Sequence, residues 1–315
     1  MPSRRLSRPG PGIALGVAES RQRRRSTPVE PLIEAVESAD VLDAPGKAIG
    51  KLVRSALGPG ALKDALSGTW LGHALHPLMT DVVIGSWVSA TLLDLLGGDE
   101  DGRAAERLIG VGIAAYAPTA LAGINDWADT EPADDGVRRA GLVHAAANST
   151  ALTLYGASLA ARRRGSPRLG AALGLLGMGA LGAGGLLGGH LSFAKGVGPD
   201  QTVFDPGPDE WTTASDTPTL SEGVLGRVVV DETPVVVVRS EGRLLAIHDR
   251  CSHRGCSLAD GDLQGEEIVC ACHGSRFDLA DGSVLRGPAT APQPAFEARE
   301  RDGRLEFRRR TADPT

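Results

Sequence analysis

The sequence predicts an α+β multidomain chain: an N-terminal four-helix transmembrane bundle followed by a small all-β domain. Three observations predict it. Four apolar stretches lie between residues 70 and 195, β-branched runs follow residue 220, and all four cysteines crowd with two histidines into residues 251–273. A chain of 315 residues has room for about two domains. Its 33 Lys+Arg against 39 Asp+Glu, a net charge of −6, exclude a basic nucleic-acid-binding protein.

Taken in order, residues 1–45 read as a disordered basic tail, since the first 25 carry seven Arg and one Glu among Pro and Gly, a composition suited to anionic lipid. Residues 46–69 read as an amphipathic interfacial helix, with Ile49, Leu52, Val53, Ala56 and Leu57 opposite Lys47, Lys51 and Arg54. The four-helix domain, 70–195, holds apolar stretches at 75–96, 108–124, 140–161 and 169–191. Each approaches the roughly 17 to 25 residues that cross a bilayer. Asp81 in the first and His144 in the third keep a soluble four-helix bundle as the alternative. The fourth stretch sets Gly170, Gly174, Gly177, Gly184 and Gly188 near one helical face, which permits close backbone approach in lipid and costs stability in water.

Residues 196–219, with Pro199, Pro206, Pro208 and Pro218, read as a semi-extended linker that lets the last domain move. In 220–310, strands are predicted at 224–230, 234–239, 243–247, 267–269, 295–299 and 304–308, with a turn at Ser240-Glu241-Gly242. His248 falls outside the ligand spacing and reads as a hydrogen-bonding loop histidine.

Cys251-x-His253, sixteen residues, then Cys270-x-x-His273 makes two hairpin-sized ligand pairs. Such a donor set suits zinc or an iron–sulfur cluster. Zinc sites more often use two C-x-x-C or C-x-x-H pairs, whereas this pairing suits a centre with two thiolates on one iron and two imidazoles on the other. Zinc stays the alternative.

CSHRGC at 251–256 and CACHGS at 270–275 resemble the two cluster loops of Rieske proteins, and about 90 residues fit that family. The resemblance implies a 2Fe-2S cluster on Cys251, His253, Cys270 and His273, and a disulfide between Cys256 and Cys272 as in the cytochrome bc type. Oxygenase-type Rieske domains lack that bridge, and no 2-His-1-carboxylate catalytic domain accompanies this one, so an oxygenase is not expected and no catalytic residue is assigned. Gly274, Ser275 and Phe277 surround the ligands in the second loop. Ser275 sits where high-potential members place a serine bonded to a bridging sulfide, while Phe277 replaces their tyrosine donor. The expected potential is therefore intermediate within about −150 to +300 mV. Arg254 stands where quinol-oxidising relatives use an apolar residue; it reads as a solvated loop residue or as a contact to an acidic redox partner. Gly287-Pro288-Ala289 matches the loop that covers the cluster.

The apolar stretches resemble a family of predicted four-helix bacterial membrane domains of unknown function, carried by GHALHPLMTDVVIG at 72–85, His144 and GGHL at 188–191. With an even number of spans, His73, His76, His144 and His190 fall at one membrane face, with Asp81, Asn125 and Asp126 beside them. His76, His144, His190 and Asp81 could hold haem, another metal or a quinone headgroup, or the histidines could cap helices. Six Lys/Arg flank the spans on each side, so charge does not orient the chain; the cost of exporting the basic tail leans the Rieske domain towards the cytoplasm, where a disulfide sits uneasily.

The expectation is a multi-pass cell-membrane protein, four spans, that moves one electron at a time between a redox protein or quinone and an acceptor. The alternative is a membrane transport or sensor protein in which the cluster is a regulatory redox domain.

Overall fold

The computed structural model describes residues 28–216 and 218–310. The basic run of residues 1–25 lies outside them. Seven α-helices come first: α1 (Glu30–Glu37), α2 (Asp43–Ala56), α3 (Ala61–Ser67), α4 (Leu75–Leu96), α5 (Gly102–Thr130), α6 (Asp135–Arg163) and α7 (Pro167–Gly189), the last running into a π turn at His190–Ala194. Three are long and apolar enough to cross a membrane: α4, α5 and α7 with its extension. The third expected span, α6, has a similar length but does not meet that apolarity, because it carries Arg138, Arg139, His144, Asn148 and Arg162.

The long helices run up and down, with α4 against α5 and α6 against α7. Glycines face α6 along α7: Gly170, Gly174, Gly177 and Gly184 are buried. A Cβ on Gly177 would stand 3.0 Å from the Tyr155 ring, and one on Gly184 2.5 Å from the Asn148 amide. Trp87 fills the centre, stacked on Tyr155 at 4.5 Å, while Thr91 Oγ1 shares a hydrogen bond of 2.8 Å with the Tyr155 hydroxyl.

Two expectations about the N-terminal segments change. Residues 28–45 are not all tail, since α1 and the start of α2 are helical. Nor is 46–69 one helix: Gly58-Pro59-Gly60 breaks it into α2 and α3. Helix α2 lies on the bundle through its small side, with Gly46 against Arg138 and Gly50 against Glu131, and leaves Ile49 and Leu52 exposed. Charges fasten this contact, because Asp43 accepts from Arg139 Nε at 2.8 Å and Glu131 from Arg54 and Arg138, both at 2.7 Å.

Ten strands follow: β1 (Thr212–Thr213), β2 (Gly226–Val230), β3 (Thr233–Ser240), β4 (Arg243–His248), β5 (Asp262–Gln264), β6 (Glu267–Val269), β7 (Arg276–Asp278), β8 (Val284–Arg286), β9 (Ala295–Arg301) and β10 (Arg304–Arg309). They form antiparallel sheets ordered β1-β10-β9-β4-β3-β2 and β5-β6-β7-β8. Strand β3 is buried on both faces: Val236 and Val238 join Phe277 and the free cysteines between the sheets, while Val235 and Val237 pack with Phe296 and Phe307 beyond. The predicted turn holds, with Glu241 and Gly242 both left-handed, as a two-residue hairpin requires.

The 196–219 segment is fastened rather than free. Gln201 N–H donates to Ser252 O at 3.1 Å, β1 pairs with β10, and Asp205 bonds Thr233 Oγ1 at 2.5 Å. The same carboxylate meets His248 Nε2 at 3.2 Å, and His248 Nδ1 accepts Arg250 N–H at 3.0 Å, so His248 is the hydrogen-bonding histidine expected.

Candidate metal centre and its helical cap

The loops after β4 and β6 close in the same way. Cys251 N–H bonds Cys256 O and Gly255 N–H bonds Cys251 O, both at 2.8 Å; Cys270 N–H bonds Ser275 O at 2.9 Å and Gly274 N–H bonds Cys270 O at 3.0 Å. Gly255 and Gly274 both sit at positive φ, +76° and +75°, where a side chain would be strained. Buried Asp249 braces the first loop by accepting from Ser257 Oγ and from Ala259 N–H at 2.8 Å. A Cys256–Cys272 disulfide joins the loops at their tips.

Cys251 and Cys270 stay free, 1% and 2% exposed. Sulfurs of Cys256, Cys270 and Cys272 lie within 4.8 Å of one another, but two are joined in the disulfide, so only Cys270 keeps a free thiol among them. The hydrogen bond with Cys251, joined by the N–H groups of Cys272 and His273, pushes the Cys270 thiol down to about 6, and the same pairing pushes Cys251 up. On the same two loops, the His253 and His273 rings meet edge to face with centroids 5.0 Å apart. Burial pulls His253 well below the ordinary imidazole value, helped by Arg254, His273 and Lys63, which favours the neutral, ligating form. His253 Nδ1 is buried with no hydrogen-bond partner. Two buried thiols, two edge-to-face imidazoles and an orphaned ring nitrogen fit a cluster with sulfur on one iron and nitrogen on the other.

Residues 210–297 match the family described as Rieske [2Fe-2S] domain. Ferredoxin CarAc of Metapseudomonas resinovorans is 32% identical over 87 residues, 27% of this chain and 81% of that protein. The chain belongs to the Rieske family. Another relative, the ferredoxin component of the naphthalene 1,2-dioxygenase system of Pseudomonas putida, is 32% identical over 81 residues, 26% of this chain and 78% of its own. Among solved structures, the ferredoxin of carbazole 1,9a-dioxygenase from Nocardioides aromaticivorans shares 28% identity, with 31% of this chain and 96% of that one covered and a TM-score of 0.29. Residues 72–201 match a second family, described as predicted membrane protein (DUF2231). Rieske domains bind a 2Fe-2S cluster, and the residues present fit it.

Around the Rieske ligands, the fully buried Ser275 accepts Ala289 N–H at 3.0 Å through Oγ, which leaves its own proton to give. Fully buried Phe277 has no donor. The Gly287-Pro288-Ala289 loop is itself covered, since Thr69 Oγ1 donates to Ala289 O at 3.2 Å.

The imidazole edge faces the helices, not open solvent. Pro59 packs on Gly274, and Arg254 is neither solvated nor turned outward: its Nη2 donates to Asp126 O at 3.4 Å. Beneath the rings, Lys63 of α3 bonds Asp129 of α5 at 2.9 Å and Asn125 Oδ1 at 3.4 Å, and Asn125 donates to Ser67 Oγ at 3.0 Å. In the sequence Lys63 reads only as a flanking charge, and Asn125 and Asp126 as neighbours of the histidines. Their burial comes from chain segments over 60 residues apart, which no local pattern reveals.

The other expected group lies in the helical domain, where each of its histidines has a hydrogen-bonding partner. His76 Nδ1 donates to Thr119 O at 2.9 Å and His144 Nδ1 to Gly184 O at 2.8 Å, so each ties two helices together. His190 Nε2 pairs with Glu37 at 2.8 Å, and Asp81 is exposed on the outer side of α4. The imidazole of His76 packs closely against Gly123 and that of His144 against Gly188.

Proposed function

We propose that this protein is a membrane-anchored one-electron carrier in which Cys251 and Cys270 hold one iron of the cluster and His253 and His273 the other. The carrying observation is the pair of free, buried thiols, hydrogen-bonded to each other, on the same two disulfide-joined loops as two edge-to-face imidazoles. Relatives named as ferredoxin components of dioxygenase systems support an electron-transfer role, with a terminal oxygenase as one kind of acceptor. The bound cluster supplies a site that takes up and releases one electron. The chain does the rest: the disulfide fixes the loops, Ser275 offers a hydroxyl donor, and the helices shield the imidazole edge.

The anchor is read as four spans, α6 crossing in the company of α7 with its polar groups turned inward, His144 onto α7 and Arg162 onto Asp94 of α4. The Rieske domain is read as cytoplasmic. Iron and acid-labile sulfide analysis of the detergent-purified protein tests the ligand set. Equal iron and sulfide in the unaltered chain, lost in Cys251→Ser and His273→Ala, is expected; zinc in place of both would overturn the reading. Protease accessibility in oriented vesicles tests the side, with cleavage of the 310-end only in inside-out vesicles expected and cleavage only in right-side-out vesicles contradicting it.

A further inference from the structure

The charged pair under the imidazole edge is placed where it can act on the cluster. Lys63 and Asp129 are only 4% and 5% exposed, a burial that unpaired charges do not survive. Asp129 Oδ1 takes the Lys63 ammonium at 2.9 Å. Its Oδ2 lies 2.8 Å from the same ammonium but makes no hydrogen bond of good geometry, and it stands 3.7 Å from His253 Nε2. The Asp129 main-chain carbonyl faces the second imidazole, His273.

His253 Nδ1 is the nitrogen with no protein partner. If that nitrogen holds iron, the proton of the neutral ring sits on Nε2, and an under-used carboxylate oxygen is in front of it. Helix α5 presents the carboxylate, and Lys63, itself bonded to Asn125 Oδ1, holds it. Arg254, which donates to the Asp126 main-chain oxygen, is the second basic group at this contact.

We propose that Asp129 is a positioning residue for the cluster: its carboxylate, held by Lys63, stands against the Nε2 edge of His253 and through its charge sets the reduction potential from the helical domain. This rests on the ligand reading above. Negative charge beside the histidine-held iron stabilises the oxidised, more positive state and lowers the potential; the Lys63 ammonium works the other way. The helical domain would then be part of the redox centre and not only its anchor.

The test is EPR-monitored redox titration of the full-length protein in detergent at one fixed pH. Asp129→Asn is expected to favour reduction at least tenfold, a rise of about 59 mV for one electron, and Asp129→Glu to restore most of it. Lys63→Met is expected to shift the potential downward. Disturbed packing alone would move both variants the same way, so opposite signs carry the argument, and Lys63→Met carries it alone if Asp129→Asn fails to assemble a cluster. Asp94→Asn, in the ion pair with Arg162 at the other end of the bundle, is expected to leave the potential unchanged. Unshifted potentials in both variants, or shifts of one sign, overturn the proposal while leaving the carrier reading intact; an unaltered chain with no reduced Rieske signal overturns both.

Discussion

At the residue scale, Ser275 and Phe277 carry opposite weight. The Ser275 hydroxyl is fully buried, already accepts a main-chain N–H, and has a proton left for a cluster sulfur, whereas Phe277 contributes packing only. Ser275→Ala should lower the midpoint potential and Phe277→Tyr should raise it, both read by redox titration; an unchanged Phe277→Tyr value would show that the added hydroxyl does not reach a ligand sulfur. The Cys256–Cys272 bridge closes a loop with a sequence separation of 16, for which chain entropy is about 3 kcal/mol. The Cys256→Ser/Cys272→Ser double variant should therefore lose its cluster at lower denaturant concentration, followed by visible bleaching. The two cluster loops and the bridge were legible because the Rieske pattern is local, two short loops of fixed spacing. Arg254 was not: its partner, Asp126, lies 128 residues away, and sequence alone offered a solvated residue or an external acidic partner.

At the element scale, helices α1 and α2 are held to the bundle by charge more than by apolar burial. The Asp43 carboxyl is held at about 2, first by its hydrogen bonds from Arg139 and then by that residue's charge and by Arg138, against some desolvation. Because its folded value lies below the ordinary 3.8, its contribution is fully present above pH 3.8 and is lost as pH falls towards 2. Protection factors across residues 30–56, hydrogen exchange corrected for its intrinsic pH dependence, should fall through that window; an unchanged protection would show that Asp43 does not hold the segment. Within the bundle, Gly184→Val would drive a side chain into the Asn148 amide and cost about 1 to 3 kcal/mol, measured as a lower thermal midpoint in detergent. The glycine stripe was readable from its spacing. The break at Gly58-Pro59-Gly60 was written in the residues too, but the apolar periodicity on both sides concealed it, and short strands β5, β7 and β8 have too few residues for any period to show.

On the whole-molecule scale, sequence patterning separated a helical half from a β half and missed how they meet. A Pro-rich segment reads as a mobile linker, yet Gln201, Thr213 and Asp205 tie it to the β domain, and Pro59, Thr69 and Arg254 close the cluster edge against α3 and α5. Contacts of this kind join groups far apart in the chain, so composition cannot report them. The central claim is that this chain carries a Rieske cluster cycling by one electron. EPR-monitored redox titration of the purified full-length protein tests it most directly: a reduced-state Rieske signal rising and falling reversibly along a single one-electron curve is the predicted result, and no such signal after dithionite would contradict the account.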